Sequence, residues 1–490
     1  MAQELPSAAD IADAVAAGTI GASAVLAAHA ARWESTHARL NALVQPRHDE
    51  AVREAARIVA GTAAPLAGVP VSVKECFPIR GLLTTLGIES RRQCRDADTA
   101  WIVERLQAAG AVVVGKDNVP QAMYLHETEN PVWGRTNHPL VIDRGPGGSS
   151  GGAAALVAAG VVPLAVGTDL AGSIRQPAHV CGIVGIMPRS VALGDGGAFD
   201  TMPHLRTVRP RAGFLARQVD DLRRALAAVG IDSGPVDRRS GPLRIAWWDD
   251  AGPLEPSPAV RRAVHEAVAR LHAAGALSEQ LDGAFGRDSA WLHLALLSAD
   301  GGADVRDLFA GSAPIRPVAR LLGLACVPRF MRPWLAGAAQ LTGRRIEAEA
   351  LRATGPRQGA ALAQLLAARE RMAAYAAAMS AHHDAIVCPV SALSALRHGT
   401  AATLIMAAAP CLLANLLDLA AGSVPVTQVL PDEETGRNPS RDPVIRAASE
   451  TDRGSAGLPV GVQVIALRGG EATVLEVMRL IQQGAGASSR

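Results

Sequence analysis

Three serines in two glycine-containing stretches are the residues of this sequence that could carry nucleophilic chemistry. Ser149 and Ser150 stand in RGPGGSSGG (144–152), and Ser173 stands in GTDLAGSIRQP (167–177). A serine hydroxyl is a weak nucleophile until a neighbouring base takes its proton. The chemistry therefore depends on which serine attacks and which residue acts as the base.

The residues around Ser149 fit the pattern GxSxG, the turn that presents the nucleophilic serine of α/β-hydrolases. That turn follows a strand, whereas the preceding residues DRGP (143–146) are not strand-like. The serine would also need a histidine and an acid, and His383 and His398 lie in no suggestive context. These observations argue against Ser149 as a nucleophile of that type.

A lysine can serve as the base instead, if burial or positive neighbours lower its pKa. Lysine is rare in this chain relative to arginine, and Lys74 directly follows the β-like run VPVSV (69–73). We therefore predict a desolvated Lys74 that activates a serine. The alternatives are a solvated lysine at a strand end, a serine pair that caps a helix, and a turn serine at position 173.

The second lysine-containing motif, GAVVVGK (110–116), resembles the phosphate-binding loop GxxxxGK[ST]. Asp117 stands where that loop has the serine or threonine that binds magnesium. The valines inside the motif are typical of a strand. The segment therefore predicts a strand and not a nucleotide site.

Helical and β-like patterns alternate around these residues up to about position 250, and this favours an α/β architecture with a mostly parallel or mixed sheet. Residues 257–385 are nearly all helical in pattern, and 431–457 are polar and predict a surface loop. The expected helices lie within 7–60 and at 99–109 and 150–159, and the expected strands are 69–73, 111–114, 161–166, 243–248, 385–390, 423–429 and 460–466.

The composition suits a globular protein with a large core, because 49% of the 490 residues are hydrophobic. A net charge of +2 and an aromatic content of 3% indicate no nucleic-acid partner. The six cysteines are scattered without ligand spacing, so we expect no metal site and no disulfide framework. No signal peptide or membrane-spanning stretch is recognised, which favours a cytoplasmic location.

Three separated motifs resemble the amidase signature family. They are PVSVKECF around Lys74, PGGSSGG around Ser149 and GTDLAGSIRQPAHVCGIVG around Ser173, and the separation of the two serines (173 − 149 = 24) agrees with the family. The resemblance extends from about residue 20 to residue 483. The stretches NVPQAM (118–123) and LLDLAAGSVPVTQV (416–429) look like the fatty acid amide hydrolase branch of that family.

The resemblance implies a single amidase domain over residues 1–490, with a large mixed, mostly parallel sheet surrounded by helices. It implies that Ser173 is the nucleophile, that Ser149 follows a cis peptide bond and carries the proton, and that Lys74 is the base. The remaining implied site residues are the oxyanion-hole donors Leu170, Ala171 and Gly172, the supporting residues Ser150, Asp169 and Arg175, and the acyl-channel wall Met123, Tyr124 and Leu125. Where the family has glycine, this chain has Ala171.

The implied activity is hydrolysis of carboxylic amides, of fatty acyl or other lipophilic type, through an acyl-enzyme and without a cofactor. Two alternatives are the amidase subunit of a glutamine-dependent tRNA amidotransferase and an amidase for small or aryl amides. A third alternative is a scaffold without catalysis.

A helical insert at about 310–345 aligns with the membrane-facing cap of the fatty acid amide hydrolase branch. Its core, 316–341, mixes apolar residues with arginines and is interrupted by Pro328 and Pro333. Short apolar helices that carry arginines fit the surface of an anionic bilayer, so the sequence predicts peripheral membrane contact through this insert. An amphipathic lid or a contact in a homodimer is the alternative. The arginines concerned are Arg316, Arg320, Arg329 and Arg332.

Overall fold

The computed structural model describes residues 5–62, 64–234, 241–250 and 252–487. The chain divides into two compact units. The first consists of Met1–Asp169, Ser173–Phe199 and Pro210–Pro235, and the second of Leu170–Gly172, Asp200–Arg209 and Val236–Arg490. The expectation of a single domain over residues 1–490 stays a prediction.

In the first unit, helices and strands alternate along the chain as the sequence predicts. The helices are α1 (Ala8–Ala16), α2 (Ala22–Leu40), α3 (His48–Ala55), α4 (Trp101–Ala108), α5 (Gly151–Ala158), α6 (Arg175–Cys181), α7 (Ser190–Leu193) and α8 (Val219–Ala228). The strands are β1 (Leu43–Pro46), β2 (Pro70–Lys74), β3 (Val112–Asp117), β4 (Glu129–Asn130), β5 (Gly134–Arg135), β6 (Leu164–Asp169), β7 (Val184–Met187) and β8 (Arg211–Ala216).

Six of these strands lie side by side in the order β1-β3-β2-β6-β8-β7, and β4 and β5 form a separate hairpin. Strand β2 is parallel to both β3 and β6, and every residue of these three strands is buried. Their continuous apolar runs fit strands covered on both faces. Because parallel strands end at the same edge of a sheet, Lys74, Asp117 and Asp169 all lie at one edge.

In the second unit, a second set of strands lies in the order β12-β13-β11-β9-β10. The strands are β9 (Arg244–Trp247), β10 (Leu277–Gln280), β11 (Ala385–Pro389), β12 (Ala421–Gln428) and β13 (Pro459–Ala466). The helices are α9 (Pro258–Ala273), α10 (Ala284–Leu297), α11 (Ala303–Asp307), α12 (Arg316–Ala325), α13 (Arg332–Leu341), α14 (Arg345–Ala353), α15 (Gly359–Met379), α16 (Leu412–Leu416), α17 (Pro443–Asp452) and α18 (Gly470–Ala487).

The structure confirms an α/β protein with mixed strand pairing, but parallel pairs are not in the majority among the strand pairs that the structure describes within each unit. Strand β9 is parallel to β10 and β11, whereas β13 is antiparallel to both β11 and β12. In the first unit β8 is likewise antiparallel to β6 and β7. The consecutive strands β7–β8 and β12–β13 return alongside each other, and this return produces antiparallel neighbours.

The polar segment 431–457 is not only a surface loop, because it contains α17. The Asp442 side chain caps this helix by accepting a hydrogen bond from the Val444 backbone N–H at 2.9 Å, and Pro443 fits the first helical turn. Ala448 and Thr451 of the helix are buried. The cap and the buried side chains therefore stabilise this helix, which the polar composition of the segment does not predict.

The insert forms two short helices, α12 and α13, as predicted. Pro328 lies between them, but Pro333 lies in the first turn of α13 and does not interrupt a helix. Arg332 is buried and donates hydrogen bonds to the carbonyl oxygens of Val327 and Leu351, at 3.0 and 3.3 Å. The expectation that Arg332 faces a bilayer is therefore wrong, since its guanidinium donates hydrogen bonds to backbone carbonyl groups inside the unit.

Within the described ranges, no helix is both long enough and apolar enough to span a bilayer.

Candidate active site

The Lys74 amine lies in a pocket of hydroxyl groups at the end of β2. Its Nζ lies 2.7 Å from Ser149 Oγ and 2.8 Å from Thr168 Oγ1, and it also donates to the Thr168 carbonyl oxygen at 3.3 Å. The side chain is fully buried, and burial lowers the pKa of its amine, although nearby acidic groups oppose the shift. A buried amine with a lowered pKa, in contact with a serine, can accept the serine proton.

Ser149 follows a cis Gly148–Ser149 peptide bond, as the resemblance implies. The neighbouring backbone is packed so closely that a side chain at position 148 would not fit. A Cβ atom on Gly148 would lie 2.7 Å from the Leu125 carbonyl oxygen and 3.1 Å from the Glu127 nitrogen. The Gly148 N–H also donates to Gln176 Oε1 at 3.1 Å. Glycine at 148 is therefore required by the close approach of neighbouring backbone.

Ser173 is tied to the Ser149 stretch through the backbone. The Ser150 N–H donates to the Ser173 carbonyl oxygen at 3.1 Å, and Ser150 Oγ donates to the Thr168 carbonyl oxygen at 3.3 Å. Ser149 is 3% exposed and Ser173 is 8% exposed. The first unit therefore brings the three predicted catalytic residues into one buried region, with Lys74 in direct contact with Ser149.

An ion pair anchors the loop that leads into Ser173. Arg175 Nη2 lies 2.9 Å from Asp169 Oδ1, and both side chains are fully buried. Asp169 Oδ2 also accepts the Ile174 N–H at 3.1 Å. The pair therefore connects the end of β6 to the start of α6 on the far side of Ser173, which fits the supporting role predicted for both residues.

Leu170, Ala171 and Gly172 form the segment between Asp169 and Ser173. Gly172 has a φ of 97°, a value that favours glycine. Ala171 is not among the described non-glycine residues with positive φ, so alanine at this position carries no such backbone penalty. The role of the three N–H groups as oxyanion donors stays a prediction.

The segment Met123–Leu125 lies against the glycine-rich stretch, since a Cβ atom on Gly148 would lie 2.7 Å from the Leu125 carbonyl oxygen. Met123 and the preceding Ala122 have φ values of 56° and 53°, which are uncommon for residues with side chains. Leu125 is buried, and Met123 and Tyr124 are half-buried. The segment is next to the site, and its role as an acyl-channel wall stays a prediction.

Two residues at this site were not singled out from the sequence. Thr168 binds the lysine amine, and the only signal for it was its place beside Asp169 in the motif. Asp117 was considered only as an argument against magnesium, but it pairs in register with Lys74 and is fully buried. Strand order, which a single sequence does not give, is what brings it to the base.

The chain is similar in sequence to known proteins. The Amidase family model matches residues 24–475. Fatty-acid amide hydrolase 1 of Sus scrofa is 33% identical over 445 residues, which cover 85% of this chain and 76% of that protein.

Solved structures are similar over nearly the whole chain. A fatty acid amide hydrolase has a TM-score of 0.82 at 23% identity, covering 98% of this chain and 85% of that one. A bacterial aryl acylamidase has a TM-score of 0.72 at 21% identity, covering 99% of this chain and 97% of that one. Since the family model spans the lysine and both serine motifs, the chain belongs to the amidase signature family of carbon–nitrogen hydrolases.

Proposed function

We propose that this amidase hydrolyses lipophilic carboxylic amides, fatty acyl amides in particular, to an acid and an amine or ammonia. The observation that carries the proposal is the buried Lys74 amine, 2.7 Å from the hydroxyl of Ser149. Ser149 in turn belongs to a stretch that is hydrogen-bonded to Ser173. This arrangement fits a base, a proton carrier and a nucleophile in series.

In the proposed mechanism, neutral Lys74 takes the proton of Ser149 while Ser149 takes the proton of Ser173. Ser173 Oγ then attacks the amide carbonyl carbon, and the backbone N–H groups at 170–173 stabilise the oxyanion. The carbon–nitrogen bond breaks as the proton returns through Ser149 to the leaving amine, which leaves an acyl ester on Ser173. Water attacks this ester with the help of the same relay and releases the acid.

Apolar surroundings of the loop before Ser173 support a lipophilic substrate. Leu170 packs against a leucine-rich cluster within the second unit that includes Leu205, Leu296 and Leu416. The relative from Sus scrofa carries the name of a fatty-acid amide hydrolase, which supports the same substrate class.

Chain length is the property of the substrate that tests this proposal. We expect kcat/KM to rise along a series of primary amides from acetamide to octadecanamide, by about two- to fourfold per buried methylene until the channel is filled. Glutamine and an anilide serve as comparison substrates for the two alternative classes. A Ser173→Ala variant purified in the same way controls for contaminating hydrolases.

A flat response to chain length, or a preference for glutamine or the anilide, would contradict the fatty acyl proposal. Loss of all amide hydrolysis in Ser173→Ala, with the wild type active, would leave the amidase assignment intact in either case.

The proposal includes a bilayer surface as the source of lipophilic substrate. Phe330, just before α13, is 76% exposed, and Trp334, within α13, is 82% exposed. The arginines Arg316, Arg320 and Arg329 are also exposed. Exposed aromatic residues beside arginines are typical of helices that lie on anionic membranes.

A further inference from the structure

Glu75 is a buried acid that directly follows Lys74 and has no part in the proposed relay. Its side chain is fully buried, and its carboxyl group accepts hydrogen bonds from another segment of the first unit. Oε1 accepts the Thr85 N–H and the Thr85 hydroxyl, both at 2.6 Å, and Oε2 accepts the Leu86 N–H at 2.9 Å. Each carboxyl oxygen therefore binds one backbone N–H of that segment.

These hydrogen bonds do not require a charge on Glu75. Burial raises the pKa of its carboxyl group, while the positive charge of Lys116 and the hydrogen bonds from Thr85 and Leu86 oppose the shift. A carboxyl group keeps acceptor capacity when it is protonated. A glutamine side chain has a single acceptor oxygen, and its amide nitrogen only donates. Position 75 therefore needs a carboxyl group, in either charge state, to accept both backbone N–H groups.

The segment bound by Glu75 is a tight turn, the Thr85 turn (residues 85–88). The Ile88 N–H donates to the Thr85 carbonyl oxygen at 2.9 Å. The two residues between them, Leu86 and Gly87, have φ values of 54° and 65°. Two consecutive positive φ values are typical of a type I′ turn, whose first central position favours asparagine, aspartate or glycine over leucine. The hydrogen bonds to Glu75 therefore stabilise a conformation that the local sequence does not favour.

The Thr85 turn contacts the segment 122–125, which lies against the glycine-rich stretch. The Leu86 carbonyl oxygen accepts the Ala122 N–H at 2.8 Å. Ala122 is buried, and the backbone at 122 and 123 has the uncommon φ values of 53° and 56°. The hydrogen bond therefore fixes the start of the segment relative to the turn.

A second set of contacts joins the Thr85 turn to the chain on both sides of this segment. The Trp133 indole N–H donates to Thr85 Oγ1 at 3.0 Å. A Cβ atom on Gly87 would lie 2.5 Å from Asn130 Cβ, so the asparagine packs closely on the turn. Asn130 Nδ2 donates in turn to the Val119 carbonyl oxygen at 2.6 Å. The turn is therefore connected to residues that precede the segment and to residues that follow it.

We propose that Glu75 is a positioning residue for substrate selection: through the Thr85 turn it fixes the segment 122–125 and so determines which acyl groups the enzyme accepts. This rests on the proposed function, in which residues 123–125 line the acyl channel. Neighbouring residues of an extended chain point to opposite sides, so Lys74 binds Ser149 while Glu75 binds the turn. A substitution of Glu75 should therefore change acyl selectivity and leave the base in place.

The tyrosine content of the chain allows a readout that does not depend on turnover. The sequence contains two tyrosines, Tyr124 in the segment and Tyr375 in α15 of the second unit. Full-length protein labelled with 3-fluorotyrosine therefore gives two fluorine-19 NMR signals, which a Tyr375→Phe variant assigns. In Glu75→Gln the Tyr124 signal should shift or broaden, because the turn loses an acceptor and no longer fixes the segment. The Tyr375 signal should stay in place.

Kinetics with primary amides test the effect on selectivity. In Glu75→Gln we expect kcat/KM for octadecanamide to fall by about tenfold, the effect of about two lost methylene contacts, mainly through a higher KM. Hydrolysis of acetamide should keep nearly the wild-type kcat/KM, whereas a merely structural role would lower the rate at all chain lengths alike. Glu54→Gln is the matched control, since Glu54 is a partly buried glutamate of the same unit that pairs with Arg47 at 2.8 Å. It should leave the Tyr124 signal and the chain-length profile unchanged.

An unchanged Tyr124 signal in folded Glu75→Gln overturns the proposal, and so does an equal loss of activity at all chain lengths. A flat wild-type response to chain length refutes the fatty acyl proposal and the role in selectivity, and the Tyr124 signal then still decides whether Glu75 fixes the segment. If Glu75→Gln does not fold, Thr85→Val decides by the same two readouts, because it removes the hydroxyl group that donates to Glu75 and accepts the Trp133 N–H.

Discussion

At the residue scale, the two lysines of this chain differ in the partners that surround them. Lys116 forms an ion pair with the Asp96 carboxylate at 2.8 Å, whereas Lys74 Nζ donates hydrogen bonds to oxygen atoms of Ser149 and Thr168. A carboxylate holds the proton on an amine, and neutral hydroxyls do so far less. Of the two, Lys74 is therefore the lysine suited to accept a proton.

Replacing Lys74 with alanine should lower kcat/KM for amide hydrolysis by about 10²–10⁴ near neutral pH. Burial lowers the pKa of the Lys74 amine, so wild-type activity should rise as the pH passes through this lowered value and the amine becomes neutral. The variant should lack this limb, and its deficit should shrink in alkaline solution, where hydroxide competes as a base. Steady-state pH profiles of both proteins provide the measurement.

Lys74→Met keeps most of the side-chain volume and separates the loss of the base from the loss of packing. The two variants should be equally impaired. A minor effect of both substitutions near neutral pH would refute the relay.

The three residues proposed as catalytic, Lys74, Ser149 and Ser173, could be singled out because they lie in motifs with fixed spacing. Asp117 and Arg332 were not predictable in the same way. The surroundings of Asp117 depend on which strand lies next to β2, and the burial of Arg332 depends on carbonyl groups from other parts of the insert. Such tertiary contacts leave no local pattern in the sequence.

At the element scale, apolar content decided which strands could be predicted. β2, β3 and β6 are buried on both faces, so their apolar runs stand out in the sequence. β1 (LVQP) and β10 (LSEQ) are short and partly polar, and each lies at one end of its unit's strand order. Segments that looked helical therefore contain edge strands that hydrophobic periodicity does not reveal.

The loop between β6 and α6 should depend strongly on the buried Asp169–Arg175 pair. Arg175→Met leaves the Asp169 carboxylate buried without its cation, and we expect a loss of about 3–5 kcal/mol in the free energy of unfolding. Urea unfolding followed by circular dichroism measures this loss. The double variant Asp169→Asn, Arg175→Met should lose less than Arg175→Met alone, because it removes the uncompensated charge and the asparagine oxygen can still accept the Ile174 N–H.

The exposed pair Arg80–Asp98, at 3.2 Å with side chains 74% and 86% exposed, is the matched control. Arg80→Met should cost no more than about 1 kcal/mol. An equal loss of unfolding free energy in Arg80→Met and Arg175→Met would show that the buried pair does not stabilise the loop more than an exposed pair does.

At the scale of the whole molecule, large apolar side chains are mostly buried, and the region around α13 is an exception. Phe330, Trp334 and Leu341 are 76%, 82% and 91% exposed. Neighbouring exposed apolar side chains, in contrast to scattered ones, indicate a surface that contacts lipid or protein. The arginines of the insert favour an anionic lipid surface, whereas a contact between two copies would not require them.

A variant that carries Phe330→Asp and Trp334→Asp should lose most of its co-sedimentation with anionic vesicles, because each substitution replaces an aromatic anchor with a negative charge that the lipid headgroups repel. Val191→Asp alters a side chain that is 85% exposed outside the insert, and it should bind vesicles like the wild type. Hydrolysis of a short, water-soluble amide should be equal in all three proteins, while hydrolysis of a long-chain amide presented in vesicles should fall only in the double variant. Unchanged co-sedimentation of the double variant would refute the membrane contact. If its elution in size-exclusion chromatography shifted to a smaller particle instead, the exposed residues would belong to a contact between two copies of the chain.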